Sequence, residues 1–367
     1  MLCFIEEKQM GENVAGPKAR DDINHILQNN GLRKIPLNYI LDMTSHSLKR
    51  SWMQKLTDNL RLRKAWKHAL GQLQQGDQVI LQFPILRHPI FFSALIKKAK
   101  KKNVMIILLI HDLEILRNFS GPMISSIKKI LLIREEKNTL NASDYLIVHN
   151  GKMKGRLQKM GIASERMISL DIFDYLVPEE VENKREVPKN ISLSGPVVIA
   201  GNLNPRKTGY LNFLPEKQAF SLFGVGYEKQ KGKNNIHYWG SYPPDELPSV
   251  LSGSFGLVWD GPSGESCTGV YGEYMQINNP HKTSLYLTAG LPVLVWRHAA
   301  VADFVTAHHC GLLIDSLSDI PDVLNSLSQT AYTEMKKRAE EQLILLRSGW
   351  YTMQAVRKIC RNSNVLS

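Results

Sequence analysis

Residues 255–295, FGLVWDGPSGESCTGVYGEYMQINNPHKTSLYLTAGLPVLV, carry the chemistry most open to interpretation in the sequence. A short apolar run ends at Asp260, which sets a carboxylate at the edge of whatever cleft lies beyond that strand. A glycine-rich polar loop, 261–272, follows, and then Asn278, Asn279, Pro280, His281 and Lys282 read as the start of a helix. Asn279 suits the N-cap and Pro280 the first helical position. The free N–H groups of the first turn and the positive end of the helix dipole attract phosphate there. Lys282 adds a mobile charge in the same turn, so the arrangement suits a pyrophosphate. An ordinary capped helix with a surface lysine is the plainer alternative, and the strand–loop–helix context weighs against it.

A second such turn lies at 200–207, AGNLNPRK, where Arg206 can fork two phosphate oxygens. An exposed turn with ordinary surface charge explains it equally well. In the first half, IHDLE at 110–114 follows the apolar run 104–110, VMIILLI. A carboxylate at the carboxyl end of a strand is well placed as a general base, which singles out Asp112, with His111 as the alternative at the same turn. A helix-capping aspartate is the competing reading. The loop 11–18, with Asn13 and Lys18, either lines a cleft or is a surface loop.

Other patterns fail on spacing. GYEKQKGK at 226–233 is one residue too long for a P-loop, and Asn234 stands where Ser or Thr is required. GESCTG at 264–269 lacks the spacing of a nucleophile elbow. No Asp-x-Asp pair occurs. Transferases that hold a sugar nucleotide through a metal commonly use that pair, so its absence favours, for a pyrophosphate ligand, a scheme without a metal in which Arg, Lys and a helix dipole neutralise the charge. Cys3, Cys267, Cys310 and Cys360 are far apart and suggest neither a disulfide framework nor a zinc site.

The elements that must position these residues alternate between strand and helix. Apolar strand signals at 2–5, 78–83, 104–110 and 145–148 are separated by helical stretches at about 17–30, 91–101 and 152–160. Residues 177–195 lose this periodicity and carry two prolines and mixed charge, so they read as a linker. The alternation restarts with strands at 197–200, 220–224, 255–259, 291–296 and 312–314, and closes on helices from 333 to 361 with a break near Gly349. Buried strands separated by helices predict an α/β chain of two doubly wound Rossmann-like lobes with a cleft between them. Ligands of such sheets bind beyond the carboxyl ends of the strands.

A chain of 367 residues accommodates two domains, and no apolar run is long enough to span a bilayer. The first residues suit neither a signal nor a transit peptide, so a cytoplasmic location is expected. The net charge of +12 is concentrated in the first half, notably in Lys97, Lys98, Lys100, Lys101 and Lys102 and in Arg61, Arg63, Lys64 and Lys67. That excess reads either as a solvated face or as attraction to an anionic membrane surface. No nucleic-acid-binding motif accompanies it.

The segments FGLVWDG, GVYGEY and NNPHKTSLYLTAGLPVLVW, with NVAGPKARDDI and LLIHDLEILR in the first half, closely resemble the bacterial β-1,6-galactofuranosyltransferases of surface-polysaccharide synthesis. More distantly the chain is similar to the glucosyltransferases that extend sugars on serine-rich adhesins. The resemblance spans nearly the whole chain and implies a GT-B fold. Residues 1–180 would form the acceptor lobe, 181–347 the UDP-sugar lobe, and 348–367 a helix crossing back to the first. It implies that Arg206 and Lys282 contact the donor pyrophosphate and that Tyr242 lies near the uridine. Asn278, Asn279 and His281 would belong to the donor motif, with Tyr271 and Tyr274 shaping the sugar pocket. Asp112 is the preferred base, with Asp260 second. The implied reaction is an inverting transfer from UDP-galactofuranose to a glucosyl residue of a lipid-linked oligosaccharide, without a cofactor. Transfer of a pyranose such as glucose, and a catalytically silent nucleotide- or partner-binding protein, are the alternatives. Homo-oligomerisation is compatible with either.

Overall fold

Aliphatic runs bounded by polar turns form two parallel sheets in the computed structural model, which describes residues 1–10, 15–42, 52–86, 91–117, 126–183, 191–229 and 233–362. The chain divides into two units. The first comprises Met1–Glu12, Ile23–Leu170 and Met353–Ser367, and the second Asn13–Asp22 and Asp171–Thr352.

The first unit is built on β1 (Leu2–Met10), α1 (Ala15–Asn29), β2 (Arg33–Asp42), α2 (Trp52–Gly71), β3 (Gln78–Phe83), α3 (Phe92–Lys100), β4 (Met105–Ile110), α4 (Ser126–Ala142), β5 (Tyr145–Val148), α5 (Gly151–Lys159) and β6 (Met167–Ser169). The first turns of α1 fall in the second unit. The strands pair in parallel in the order β2-β1-β3-β4-β5-β6. All of β3 and all but the first residue of β4 are buried, as their unbroken apolar runs require. β2 escapes the apolar signal because it carries Pro36, and it is the edge strand, where a proline leaves no central ladder bond unmade. From β2 onward the chain moves steadily across the sheet. Right-handed crossovers therefore bring α2, α3 and α4 to one face, with α3 packed between the other two.

The second unit contains α6 (Glu179–Asn183), β7 (Val197–Asn202), α7 (Pro205–Thr208), β8 (Phe220–Val225), β9 (Ile236–Tyr238), α8 (Leu247–Val250), β10 (Gly256–Val258), α9 (Gly269–Tyr274), α10 (His281–Thr288), β11 (Val293–Trp296), α11 (Ala302–His308), β12 (Gly311–Ile314), α12 (Ile320–Ser326) and α13 (Gln329–Arg347). Its parallel order is β12-β11-β10-β7-β8-β9. The chain therefore runs outward from β7 in one direction, returns, and runs outward from β10 in the other. The gap between the ends of β7 and β10 is the topological switch point, where ligands of doubly wound sheets settle.

The expected break at Gly349 is present: Gly349 takes φ +73° between α13 and α14 (Trp350–Asn362). The buried Asp174 carboxylate caps α14, accepting from the N–H groups of Tyr351 (3.1 Å) and Thr352 (2.7 Å). Burial nevertheless pushes its pKa up to about 6. Among the described residues no helix is long and apolar enough to cross a membrane.

Candidate functional site

Three charged side chains converge at the switch point of the second unit. Asp260, two residues beyond β10, is 6% exposed and faces two lysines. Lys282, in the first turn of α10, donates to Asp260 Oδ1 (2.7 Å) and to the Trp259 carbonyl (2.9 Å). Lys207, in α7 beyond β7, reaches Asp260 Oδ2 at 3.8 Å. Burial pushes the Lys282 pKa down, and the Asp260 carboxylate opposes that shift. The Lys207 ammonium also lies 5.8 Å from the centroid of the exposed Tyr271 ring. Two cations around one carboxylate leave a net positive charge: Lys282 and Asp260 are 12% and 8% exposed, while Lys207, at 32%, is open to an arriving anion.

The loop that precedes α10 depends on glycine at two points. Gly261 has φ +115°, and a Cβ there would lie 2.4 Å from the Thr268 carbonyl oxygen. At Gly272 a Cβ would meet the Cys267 carbonyl carbon at 2.4 Å. These close approaches fold the loop back on itself. Tyr274 is buried, while Tyr271 stays at the surface.

The helix start differs from the sequence expectation. Pro280 is the N-cap residue of α10, in extended backbone with φ −64° and ψ 131°, and His281 is the first helical residue. Asn279 does not cap the helix. Its side-chain amide donates to the Asp171 carbonyl at 2.6 Å, because a residue before proline is held in extended backbone and its side chain turns to the 171–174 segment. No side chain caps α10. The Asn278 Oδ1 and His281 Nε2 atoms are buried without hydrogen-bond partners. His281 stacks on Tyr175 with centroids 4.9 Å apart, and burial, reinforced by the Lys18 charge, lowers its pKa to about 4, so the ring is neutral at physiological pH.

Lys18 is not on a loop. It lies in α1 with its side chain buried, bonded to Asp22 Oδ1 (2.5 Å) and the Leu176 carbonyl (2.8 Å), and paired with Asp245 (2.7 Å). Its ammonium also lies 4.8 Å from the Tyr175 ring centroid. Burial lifts the Asp22 pKa to about 7, against the pull of Lys18. With two carboxylates on it, Lys18 is a structural pin for the second unit. Asn13, named with it, lies outside the described residues.

Arg206 is exposed in the first turn of α7, where Asn204 caps the chain by accepting from the Arg206 N–H at 3.0 Å. Tyr242 is half-buried and tilted against Phe223 (6.1 Å), which also stacks on Trp239 (6.2 Å), so an aromatic group stands at the ends of β8 and β9. In the first unit, His111 and Asp112 follow β4 as expected. His111 Nε2 meets Gln82 Oε1 at 2.7 Å, and the Gln82 amide donates to Asn24 Oδ1 at 2.8 Å. Asp112 Oδ1 pairs with Arg117 at 2.9 Å and its side chain is 37% exposed. Among the described residues no three His, Cys, Asp or Glu side chains are grouped as a metal site would need.

Sequence reasoning missed Lys207 and Tyr175. Lys207 was visible beside Arg206, but only α7 shows which of the adjacent cations turns toward Asp260. Tyr175 lies within the segment after β6, and nothing in its local pattern signals contact with residue 281.

Residues 3–172 match the glucosyltransferase 3-like N-terminal domain, and residues 197–359 the glucosyltransferase 3-like C-terminal domain. The β-1,6-galactofuranosyltransferase WbbI of Escherichia coli K12 is 30% identical over 98% of both chains. Glucosyltransferase 3 of Streptococcus gordonii is 24% identical over 92% of both. Among solved structures, Anabaena Alr3699/HepE in complex with UDP is similar with a TM-score of 0.51 at 12% identity, over 100% of both chains, a likeness of fold.

Proposed function

Because the chain belongs to the glucosyltransferase 3-like family of GT-B glycosyltransferases, we propose that it transfers galactofuranose from UDP-galactofuranose to a glucosyl hydroxyl of a lipid-linked surface-polysaccharide precursor, forming a β-1,6 linkage. The observation that carries the donor half of this reading is the Lys207–Asp260–Lys282 cluster at the switch point of the second unit. A pyrophosphate placed there meets Lys282, Lys207 and the uncapped start of α10, with Arg206 at the rim. Tyr242 and its aromatic neighbours offer a stacking edge for uracil.

The acceptor hydroxyl attacks the anomeric carbon as the bond to the UDP oxygen breaks, and Asp112 takes the hydroxyl proton. One displacement inverts an α-linked donor to a β product. Charge builds on departing UDP, and preorganised cations lower the barrier there. A UDP-hexopyranose such as UDP-glucose is the second reading, favoured by the likeness to Glucosyltransferase 3. A screen of UDP-sugars against glucoside acceptors, read by mass spectrometry, decides between them. Product only from UDP-glucose would replace the first reading by the second, and no UDP release with any acceptor would favour a silent binding protein.

Two smaller effects follow for the donor site. Arg206→Ala and Lys207→Ala should each raise the donor KM and lower kcat/KM, by roughly 1.5–3 kcal/mol for a charged hydrogen bond lost. Unchanged kinetics in both variants would move the pyrophosphate elsewhere. Turnover should also survive a chelator, since Lys and Arg side chains carry the leaving-group charge. Activity abolished by chelation and restored by manganese or magnesium would show that these cations are insufficient.

A further inference from the structure

The helical face of the first unit has a composition that its own packing does not explain. On α2, Leu56, Leu60, Arg63 and Lys67 are exposed at spacings of four, three and four residues, which places them on one stripe. Leu56 is 50% and Leu60 57% exposed. Next to α2, α3 presents Lys97 and Lys98 outward, and its C-cap residue Lys101 is exposed as well. Beyond α3, α4 presents Ile130 and Leu131, 61% and 60% exposed, with Arg134 one turn on. At the start of α3, Phe91 is 57% exposed and held at φ 69°, ψ 35°, with the Arg63 guanidinium 5.9 Å from its ring centroid. A left-handed backbone is costly for a residue with a Cβ, and such strain concentrates where a side chain is held for use.

The glutamates of α4 are engaged by backbone N–H groups. Glu135 accepts from the Ser93 N–H at 2.7 Å, and Glu136 from the N–H groups of Glu114 and Ile115. Asp58 is half-buried, and α3 has no carboxylate in its sequence. The outward stripes thus combine lysine and arginine with large apolar side chains. A nucleic-acid surface has no use for the leucines, and an apolar protein partner has no use for so many exposed cations. An anionic bilayer takes both: headgroups meet the ammonium and guanidinium groups, and the acyl boundary receives Leu, Ile and Phe.

We infer that the α2–α3–α4 face of the first unit is a docking surface for an anionic lipid bilayer. The inference gains its purpose from the lipid-linked acceptor proposed above. Its test uses vesicles that contain no acceptor, so either reading can fail without the other. Flotation of the full chain with phosphatidylglycerol–phosphatidylethanolamine vesicles should show binding that weakens with salt, and phosphatidylcholine vesicles should bind far less. Arg63→Gln/Lys67→Gln/Lys97→Gln should lower anionic partition on the order of a hundredfold and flatten its salt dependence. Leu56→Ser/Leu60→Ser should lower it roughly tenfold or more with the salt dependence kept. Phe91→Gly should weaken binding while raising the melting temperature, since glycine relieves the left-handed backbone. A residue held there only for structure would not move both in that way. UDP-sugar turnover on a soluble glucoside should stay at the wild-type level in all three variants. Equal partition onto neutral and anionic vesicles would overturn the inference. So would unchanged partition in the charge and apolar variants, or a concentration-dependent dimer that forms through this face in place of vesicle binding.

Discussion

Replacing Lys282 by methionine is expected to lower kcat/KM for the UDP-sugar by about 10²–10³-fold, the range seen when a single donor to a developing oxyanion is removed. Methionine nearly matches the lysine stem in length, so the packing around α10 is kept and the missing element is the charge. Lys282 is the better placed of the two lysines, at 2.7 Å from Asp260 against 3.8 Å for Lys207, and it is also bonded to the Trp259 carbonyl. The variant carries a stability effect that must be separated from the catalytic one. The Lys282 and Asp260 side chains are 12% and 8% exposed, and breaking a buried pair by removing one partner leaves a charge insufficiently compensated. The single variant should therefore melt at a lower temperature. In Lys282→Met/Asp260→Asn both charges are gone, and most of the lost stability should return while turnover stays low. Near-wild-type turnover in the double variant would remove Lys282 from the donor site and reduce the cluster to a structural ion pair.

The strands that the sequence revealed most plainly are those whose burial on both faces leaves an unbroken apolar signature. VMIILLI, QVILQF and LPVLVW are of this kind, and each falls in the interior of its sheet as β4, β3 and β11. β2 was hidden for the complementary reason. An edge position tolerates Pro36 and polar residues, so its composition carries little strand signal. β9 is three residues long at the opposite edge of the other sheet and was equally silent.

The site divides along a similar line. Asp260 and Lys282 could be read because strand end, glycine loop and helix start follow one another in sequence, so their proximity is local. The partnership of Lys207 with Asp260 joins residues beyond two different strands, and only the return of the chain from β9 to β10 makes β7 and β10 neighbours. Lys18 was misplaced for the same reason. Its partners Leu176 and Asp245 are remote in sequence, and a lysine two positions after Gly16 gives no local sign of being buried. The N-cap assignment failed by one residue because Asn279 had a competing acceptor in Asp171, again a non-local contact.

Asp112→Asn is expected to reduce turnover by about 10²–10⁴-fold, the usual contribution of a positioned general base, with UDP affinity close to that of the wild type. Asp112 follows β4, whose buried residues make it the most apolar strand of the first sheet, and stands among the first polar side chains beyond its carboxyl end. At 37% exposed it is accessible to a substrate hydroxyl, and its ion pair with Arg117 at 2.9 Å orients one oxygen. Asparagine keeps the size and the hydrogen-bonding reach and removes the basicity, so a loss of kcat without loss of UDP binding isolates proton transfer. His111 is the control at the same turn. Its Nε2 is engaged with Gln82, and His111→Gln should have a far smaller effect on kcat. Asp260 is the rival from the second unit. Both of its oxygens face ammonium groups, which suits a charge-balancing residue better than a proton acceptor. Single-turnover measurements with saturating donor discriminate the two. If Asp112→Asn keeps most of its rate, and the loss in Asp260→Asn appears in the chemical step with donor affinity unchanged, the base lies in the second unit and Asp112 has no part in proton transfer.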